Sequence, residues 1–157
     1  MTNPGVTDAV DRRALSQFDM IIDVRSPGEF TEDHIPGAVN LPVLNNEERA
    51  KVGAIYVQES RFLARRVGAA LVARNIARHL ETSLADLTSA FQPLVYCWRG
   101  GQRSSSMATI LAQVGWRTMV LRGGYQTYRR AAQKKLYQSD LGVRFVVLDG
   151  GTGCGKT

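Results

Sequence analysis

An α/β domain, a parallel sheet flanked by helices, is the fold class this sequence predicts, and three observations predict it. Short apolar runs with β-branched residues occur at 19–24 (DMIIDV), 93–97 (PLVYC) and 117–121 (RTMVL), each the length of a buried strand. Between the last two runs, Met107, Ile110, Leu111 and Val114 fall at i, i+3, i+4 and i+7, one stripe of a helix. Strand, helix and strand at this spacing form a βαβ unit, whose two strands are parallel.

The remaining elements follow in chain order. Arg-Ser-Pro-Gly after residue 24 ends the first strand in a loop. Residues 58–80 read as one long helix, with Phe62, Leu63, Val67, Leu71 and Ile76 inward and most arginines outward. On it, Arg61/Arg65 and Arg74/Arg78 lie four apart, a repulsion of a few tenths of a kcal/mol per pair that a bound polyanion would relieve. The helix after 93–97 starts near Arg103 or Ser104, and Gly115 sits where it would stop. Tyr125 to Tyr137 reads as a last basic helix, and 143–149 (VRFVVLD) as a further strand. Two units result: a domain over 1–138 and, over 139–157, a junction with the incomplete start of a second α/β domain.

Composition limits the function classes. The apolar fraction of 44% with 22% charged residues is that of an ordinary globular chain. No run approaches the roughly 20 apolar residues of a membrane span, and MTNPGVTDAVDRR lacks the apolar stretch of a secretory signal. The expectation is a cytoplasmic protein without a membrane partner. Net charge is +6, and the cations cluster at Arg61, Arg65, Arg66, Arg74 and Arg78 and again from Arg117 to Arg144. Such a field suits a polyanion such as RNA, or is simply a solvated basic face. The cysteines, Cys97 and Cys154, are not expected to pair in a reducing compartment, and with His34 and His79 they make no metal-ligand spacing.

Cys97 stands at the carboxyl end of a strand, followed by Trp98, Arg99, Gly100, Gly101, Gln102, Arg103 and Ser104. That sequence forms a tight anion-binding loop on a helix N-terminus, with several backbone N–H groups turned to its centre. Gly100 and Gly101 supply the backbone freedom, and Arg99 and Arg103 add fixed positive charge beside the sulfur. These terms favour thiolate over thiol and make Cys97 a nucleophile. At the end of the chain, Gly150, Gly151, Thr152, Gly153, Cys154, Gly155, Lys156 and Thr157 fit the phosphate-loop pattern G-x-x-x-x-G-K-[ST] behind a strand. Its amides would wrap phosphates, Lys156 would reach the terminal ones, and the Thr157 hydroxyl would ligate Mg²⁺. The helix this loop should open is missing, so the chain reads as the N-terminal part of a longer protein.

DVRSPGEFTEDHIPGAVNLP at 23–42, YCWRGGQRSSSMA at 96–108 and LRGGYQTY at 121–128 resemble the signatures of rhodanese domains over the chain up to about residue 138. The resemblance implies a rhodanese-like sheet. It implies scaffolding roles for Asp23 and Arg25, with Glu29 in reach of Arg25 and His34-Ile35-Pro36-Gly37 in a turn. Ordinary rhodanese loops are one residue shorter than the five between Cys97 and Arg103. The longer spacing is similar to phosphatases and arsenate reductases of the same fold, although Tyr96 stands where their pattern has His. A rhodanese domain running into a phosphate loop resembles the tRNA 2-selenouridine synthase family. That resemblance implies Cys97 as the catalytic cysteine and a tRNA substrate whose wobble 2-thiouridine becomes 2-selenouridine. Selenophosphate from its synthase would be the donor, attacked by Cys97 to give a perselenide, while Arg99 and Arg103 hold the leaving phosphate. Geranyl diphosphate would be the second co-substrate, making an S-geranylated tRNA, and no tightly bound cofactor or structural metal is implied. A plain sulfurtransferase, a phosphatase and a non-enzymatic RNA-binding module remain alternatives, and the oligomeric state stays open.

Overall fold

The computed structural model describes residues 3–138 and the isolated positions 142, 144, 146, 149 and 155. Five short strands and six helices alternate through this region. They are β1 (Gly5–Thr7), α1 (Arg12–Leu15), β2 (Met20–Asp23), α2 (Pro27–Glu32), β3 (Val39–Asn40), α3 (Asn46–Gln58), α4 (Arg61–Glu81), β4 (Pro93–Tyr96), α5 (Gln102–Val114), β5 (Met119–Leu121) and α6 (Tyr125–Gln138). The strands lie in the order β1-β5-β4-β2-β3, and every pairing is parallel, with Ile22 beside Val95 and Val95 beside Val120. The expected parallel α/β architecture is thus observed. The strand expected at 143–149 and the Gly150–Thr157 loop fall, isolated positions apart, outside the described residues.

Side chains alternate across the sheet, because successive residues of a strand point to opposite faces. One face buries Ile22, Val24, Val95 and Val120 against Ile76 of α4 and Met107, Ala108 and Leu111 of α5. The other buries Ile21, Leu94, Tyr96 and Leu121 against Tyr125 of α6, with Leu15 of α1 packed alongside. Cys97 continues the first face and Tyr96 the second. The carboxyl end of β4 therefore separates two helical layers, and the chain must choose a direction there.

Local signals set most boundaries. Asn45 and Glu48 form a reciprocal capping box at the start of α3. Gly115 closes α5 in the left-handed region (φ 110°), as glycine does at helix ends. The turn through Pro36 and Gly37 is present, with Gly37 at φ 81° and the Ala38 N–H donated to the Ile35 carbonyl at 2.9 Å.

Two expectations are corrected. The helix expected over 58–80 begins at Arg61, because Ser60 caps the Leu63 N–H at 3.0 Å and separates α4 from a helix, α3, that the sequence did not disclose. Its buried residues are Ala64, Gly68 and Ile76, whereas Phe62 is 74% exposed. The small residues matter because α3 crosses closely there: a Cβ on Gly68 would lie 3.4 Å from Val52. On α5 the buried stripe is Met107, Ala108, Leu111 and Ala112, so it drifts toward Ala112 and leaves Val114 exposed at the helix end. The strands β1 and β3 were also not expected; at three and two residues they are too short to carry a periodic signal.

This packing sets a contrast that chemical denaturation can measure. Leu111→Ala, at a fully buried position, is expected to cost about 2–5 kcal/mol. Val114→Ala, on the same helix but solvent-facing, is expected to cost less than about 0.5 kcal/mol.

Candidate active site

All four residues of β4 are buried, and the chain turns immediately after them because α5 starts at Gln102. Cys97 occupies that turn, 4% exposed. Its Sγ accepts the Gly101 N–H at 3.2 Å and lies 3.2 Å from the Ser104 hydroxyl, which is itself 3.0 Å from the Gly101 carbonyl. The sulfur thus faces its own loop. Behind it, Gln102, Arg103 and Ser104 form the first turn of α5, whose N–H groups have no acceptor within the helix. Their dipoles favour negative charge at this end.

Gly100 adopts φ 67°, a conformation side chains disfavour, as the sequence requires of a tight loop. Gly101 does not need this freedom: its φ is −95° and open space surrounds the position of an added Cβ. The second glycine requirement comes from elsewhere. Gly123 (φ 71°) and Gly124 (φ 59°) form a turn directly behind the loop. A Cβ on Gly124 would collide with the Cys97 carbonyl and stand 2.7 Å from the Gly100 nitrogen. Close approach lets the start of α6 hold the loop, since Tyr125 donates its N–H to the Cys97 carbonyl at 2.8 Å and Gln126 donates to Trp98 at 3.2 Å. The motif LRGGYQTY is therefore the backing plate of the Cys97 loop.

Beneath both lies Arg25, 1% exposed. Its guanidinium meets the buried Asp23 carboxylate at 2.7 Å and donates to the Asp33 carbonyl at 2.6 Å. It sits 4.5 Å from the ring centre of Tyr125, 5.6 Å from Trp98 and 5.8 Å from Tyr96. Burial disfavours its charge, yet the hydrogen bond and field of Asp23 outweigh burial and raise its pKa above the ordinary arginine value. Burial also pushes the Tyr96 and Tyr125 phenols far up, and the nearby Asp23 and Asp33 add to it, so both rings are neutral at physiological pH.

Glu29 does not serve as a hydrogen-bonding partner of Arg25. It accepts two hydrogen bonds from Arg103, at 2.7 and 3.3 Å, and one each from the Ser26 N–H and hydroxyl at 3.1 Å, with Arg49 at 3.3 Å. Burial alone would push its carboxyl up, but Arg103, Ser26 and Arg49 together hold it below the ordinary carboxylate range.

This arrangement corrects the expected pair of guanidinium groups at the sulfur. Arg103 is turned to Glu29, Arg99 is exposed, and neither is hydrogen-bonded to Sγ. The structure brings Cys97, Gly101 and Ser104 together, places Trp98 half-buried on the rim over Arg25, and leaves Gln102 exposed. Gly150 to Thr157, apart from the isolated Gly155, lie outside the described residues, and so does any Mg²⁺ ligand there. Among the described residues no three His, Cys, Asp or Glu side chains gather as a metal site. The roles of Glu29, Gly124 and Tyr125 escaped sequence reasoning. The Gly-Gly pair beside a second strand end was the available signal.

Comparison with known proteins adds the following. The family model for the rhodanese-like domain matches residues 6–131. The chain is 36% identical over 159 residues to tRNA 2-selenouridine synthase of Nitrosomonas europaea, covering 100% of this chain and 41% of that protein. It is 38% identical over 148 residues to the protein of the same name from Proteus mirabilis, covering 93% and 40%. The chain therefore spans about two fifths of the length of the curated relatives it matches. Among solved structures, the N-terminal domain of a candidate ATP/GTP binding protein from Clostridium difficile 630 superposes with a TM-score of 0.65 at 35% identity, covering 76% of this chain and 94% of that one. A rhodanese-related protein from Thermoplasma volcanium superposes with a TM-score of 0.51 at 17% identity, covering 83% and 93%, which supports the fold alone.

Two measurements check this geometry. Gly124→Ala is expected to cost several kcal/mol and to disorder the Cys97 loop, since both its φ and its closest neighbours are backbone constraints. Gly101→Ala is expected to cost about 1 kcal/mol or less, its Cβ meeting open space; thermal melts with alkylation of Cys97 read both. The second concerns acid. Because the folded-state pKa of Glu29 is depressed, its stabilisation is fully present above the ordinary carboxylate value of about 4.3 and declines as pH falls through the lower folded value. Glu29→Gln should therefore destabilise the protein most at neutral pH, and the gap to wild type should narrow toward strong acid.

Proposed function

This chain belongs to the rhodanese-like domain family, and from that premise we propose that it forms the cysteine-bearing part of a tRNA-modifying transferase. The reaction proposed is replacement of sulfur by selenium in a wobble 2-thiouridine. The observation that carries the proposal is the setting of Cys97: a sulfur at a strand end, accepting a loop N–H at 3.2 Å, beside a helix N-terminus. A cysteine sulfur held in such a loop is placed to act as the nucleophile of a group transfer. The names of the relatives at 36% and 38% identity support the tRNA substrate and selenium. The basic surface, part of a net charge of +6, supports a nucleic-acid partner.

Selenophosphate is the proposed donor, supplied by its synthase. Attack of the thiolate on selenium would form an S–Se bond and break the Se–P bond, giving a Cys97 perselenide. The Se–P electron pair then stays on phosphorus, so the co-product of this route is phosphite, and an external reductant must later restore the thiolate. The five residues between Cys97 and Arg103 favour a second reading. A loop of this width suits a tetrahedral oxyanion, and attack at phosphorus breaks the same bond in the opposite sense. Selenium would leave as hydrogen selenide, and hydrolysis of the phosphocysteine would return the thiol and phosphate without any change of oxidation state. In either route, S-geranylation of the tRNA with geranyl diphosphate would turn the base sulfur into a leaving group, released as geranyl thiol. The Gly150–Thr157 loop is the proposed seat of that diphosphate, with Mg²⁺ on Thr157.

Mass spectrometry of tRNA from cells making the full-length protein is expected to show 2-selenouridine reduced by about a thousandfold or more in Cys97→Ser. Normal levels in that variant would remove the reading. Phosphorus NMR of the reaction separates the routes, with phosphite marking attack at selenium and phosphate marking attack at phosphorus. Turnover of thiosulfate without tRNA, or hydrolysis of a phosphomonoester, would point instead to a sulfurtransferase or a phosphatase.

A further inference from the structure

A cavity of about 220 Å³ opens beside the Cys97 loop, lined by Trp98, Gln126, Arg129, Arg130 and Gln133. We propose that it is a subsite for one nucleotide of a single-stranded RNA segment, its base against Trp98 and its phosphate on Arg129 and Arg130. The inference rests on the RNA-modifying reading above and adds to it a place beside the Cys97 loop where the strand is held.

The argument begins with helix geometry. Gln126, Arg129, Arg130 and Gln133 fall at i, i+3, i+4 and i+7 of α6 and so share one face. Tyr125, buried, and Tyr128 and Ala132, partly buried, lie toward the sheet and the α1 side, which leaves the Gln–Arg face to solvent. The Gln126 N–H donated to the Trp98 carbonyl fixes that face against the loop. Trp98 directly follows Cys97 in the chain, with its side chain on the α6 side of the sheet and that of Cys97 on the α5 side, so the cavity borders the loop that carries the sulfur.

Charge then identifies the class of ligand. Helix α6 contains no acidic residue, and among the described residues the ion pairs are those of Arg25, Arg49 and Arg103, none on α6. Two adjacent unneutralised guanidinium groups suit a phosphate. A half-exposed indole offers a stacking face to any base, and two carboxamides offer donors and acceptors to a base edge. Cations, ring and amides in one concavity form a nucleotide's complement rather than a plain basic face. The arginines of α4 lie on the opposite side of the sheet.

The test titrates the chain with an unmodified single-stranded RNA hexamer while following tryptophan emission. Trp116 is 6% exposed with its indole N–H on the Thr88 carbonyl, so quenching is expected from Trp98 and should vanish in Trp98→Phe. Arg129→Gln with Arg130→Gln should weaken the hexamer roughly tenfold. It should also lower the slope of log K against log salt by about 0.7 for each phosphate released. Arg74→Gln with Arg78→Gln should change the affinity less than twofold. Inorganic polyphosphate should bind without comparable quenching, and uridine monophosphate should bind far more weakly than the hexamer. An unchanged affinity in the Arg129/Arg130 variant, equal loss in the Arg74/Arg78 variant, equal quenching by polyphosphate, or equal affinity for the free nucleotide would each overturn the proposal. Circular dichroism confirms that each variant is folded. Repeating the titration in Cys97→Ser keeps the outcome independent of whether Cys97 transfers selenium.

Discussion

A guanidinium that water cannot reach must have its charge answered where it sits, and Arg25 is such a group. Asp23 answers the charge through hydrogen bonds of 2.7–3.0 Å, the Asp33 carbonyl takes a further N–H, and three aromatic rings surround the planar faces. Those partners come from the end of β2, the end of α2, the Cys97 loop and the start of α6. Satisfying one buried cation therefore fixes four chain segments relative to one another. Loss of one member of such a pair typically costs about 3–5 kcal/mol, because the other is left charged and dry. Specificity of arrangement, more than net stability, is what a buried pair contributes here.

The arrangement it imposes is a pair of turns placed back to back at the carboxyl edge of the sheet. The Cys97 turn carries the sulfur, and Tyr125 and Gln126, just after the Gly123-Gly124 turn, support it through two backbone hydrogen bonds. Backbones approach this closely only where side chains are absent, so Gly100 and Gly124 answer to a single steric constraint. Rigid support of this kind is what a nucleophile needs, since a loop free to relax would lose the alignment of Sγ with its donors.

Electrostatics divides the remaining arginines by task. Arg103 is neutralised by Glu29, which ties α5 to the first turn of α2 and steadies the helix end that faces the sulfur. Among the described residues, Arg129 and Arg130 have no carboxylate partner and stand on the rim, where a polyanion can reach them. The same residue type thus builds the scaffold at one place and offers a binding surface a short way off. Total charge does not distinguish these tasks; the position of the nearest carboxylate does.

The sequence alone determined the parallel α/β class, the strands within 19–24, 93–97 and 117–121, the helix closed by Gly115 and the cysteine at a strand end. Each of those rests on local pattern: a short apolar run, a stripe, a glycine stop. The turn at Gly37 was implied by the resemblance to rhodanese signatures, and it is present. The split between α3 and α4, the exposure of Phe62, the partner of Arg103 and the need for Gly124 were decided by tertiary structure. Glu29 and Arg103 are separated by 74 residues, and no periodicity in either segment encodes their meeting. Local chemistry states what each residue can do, whereas its neighbours across the sheet decide which of those possibilities is used.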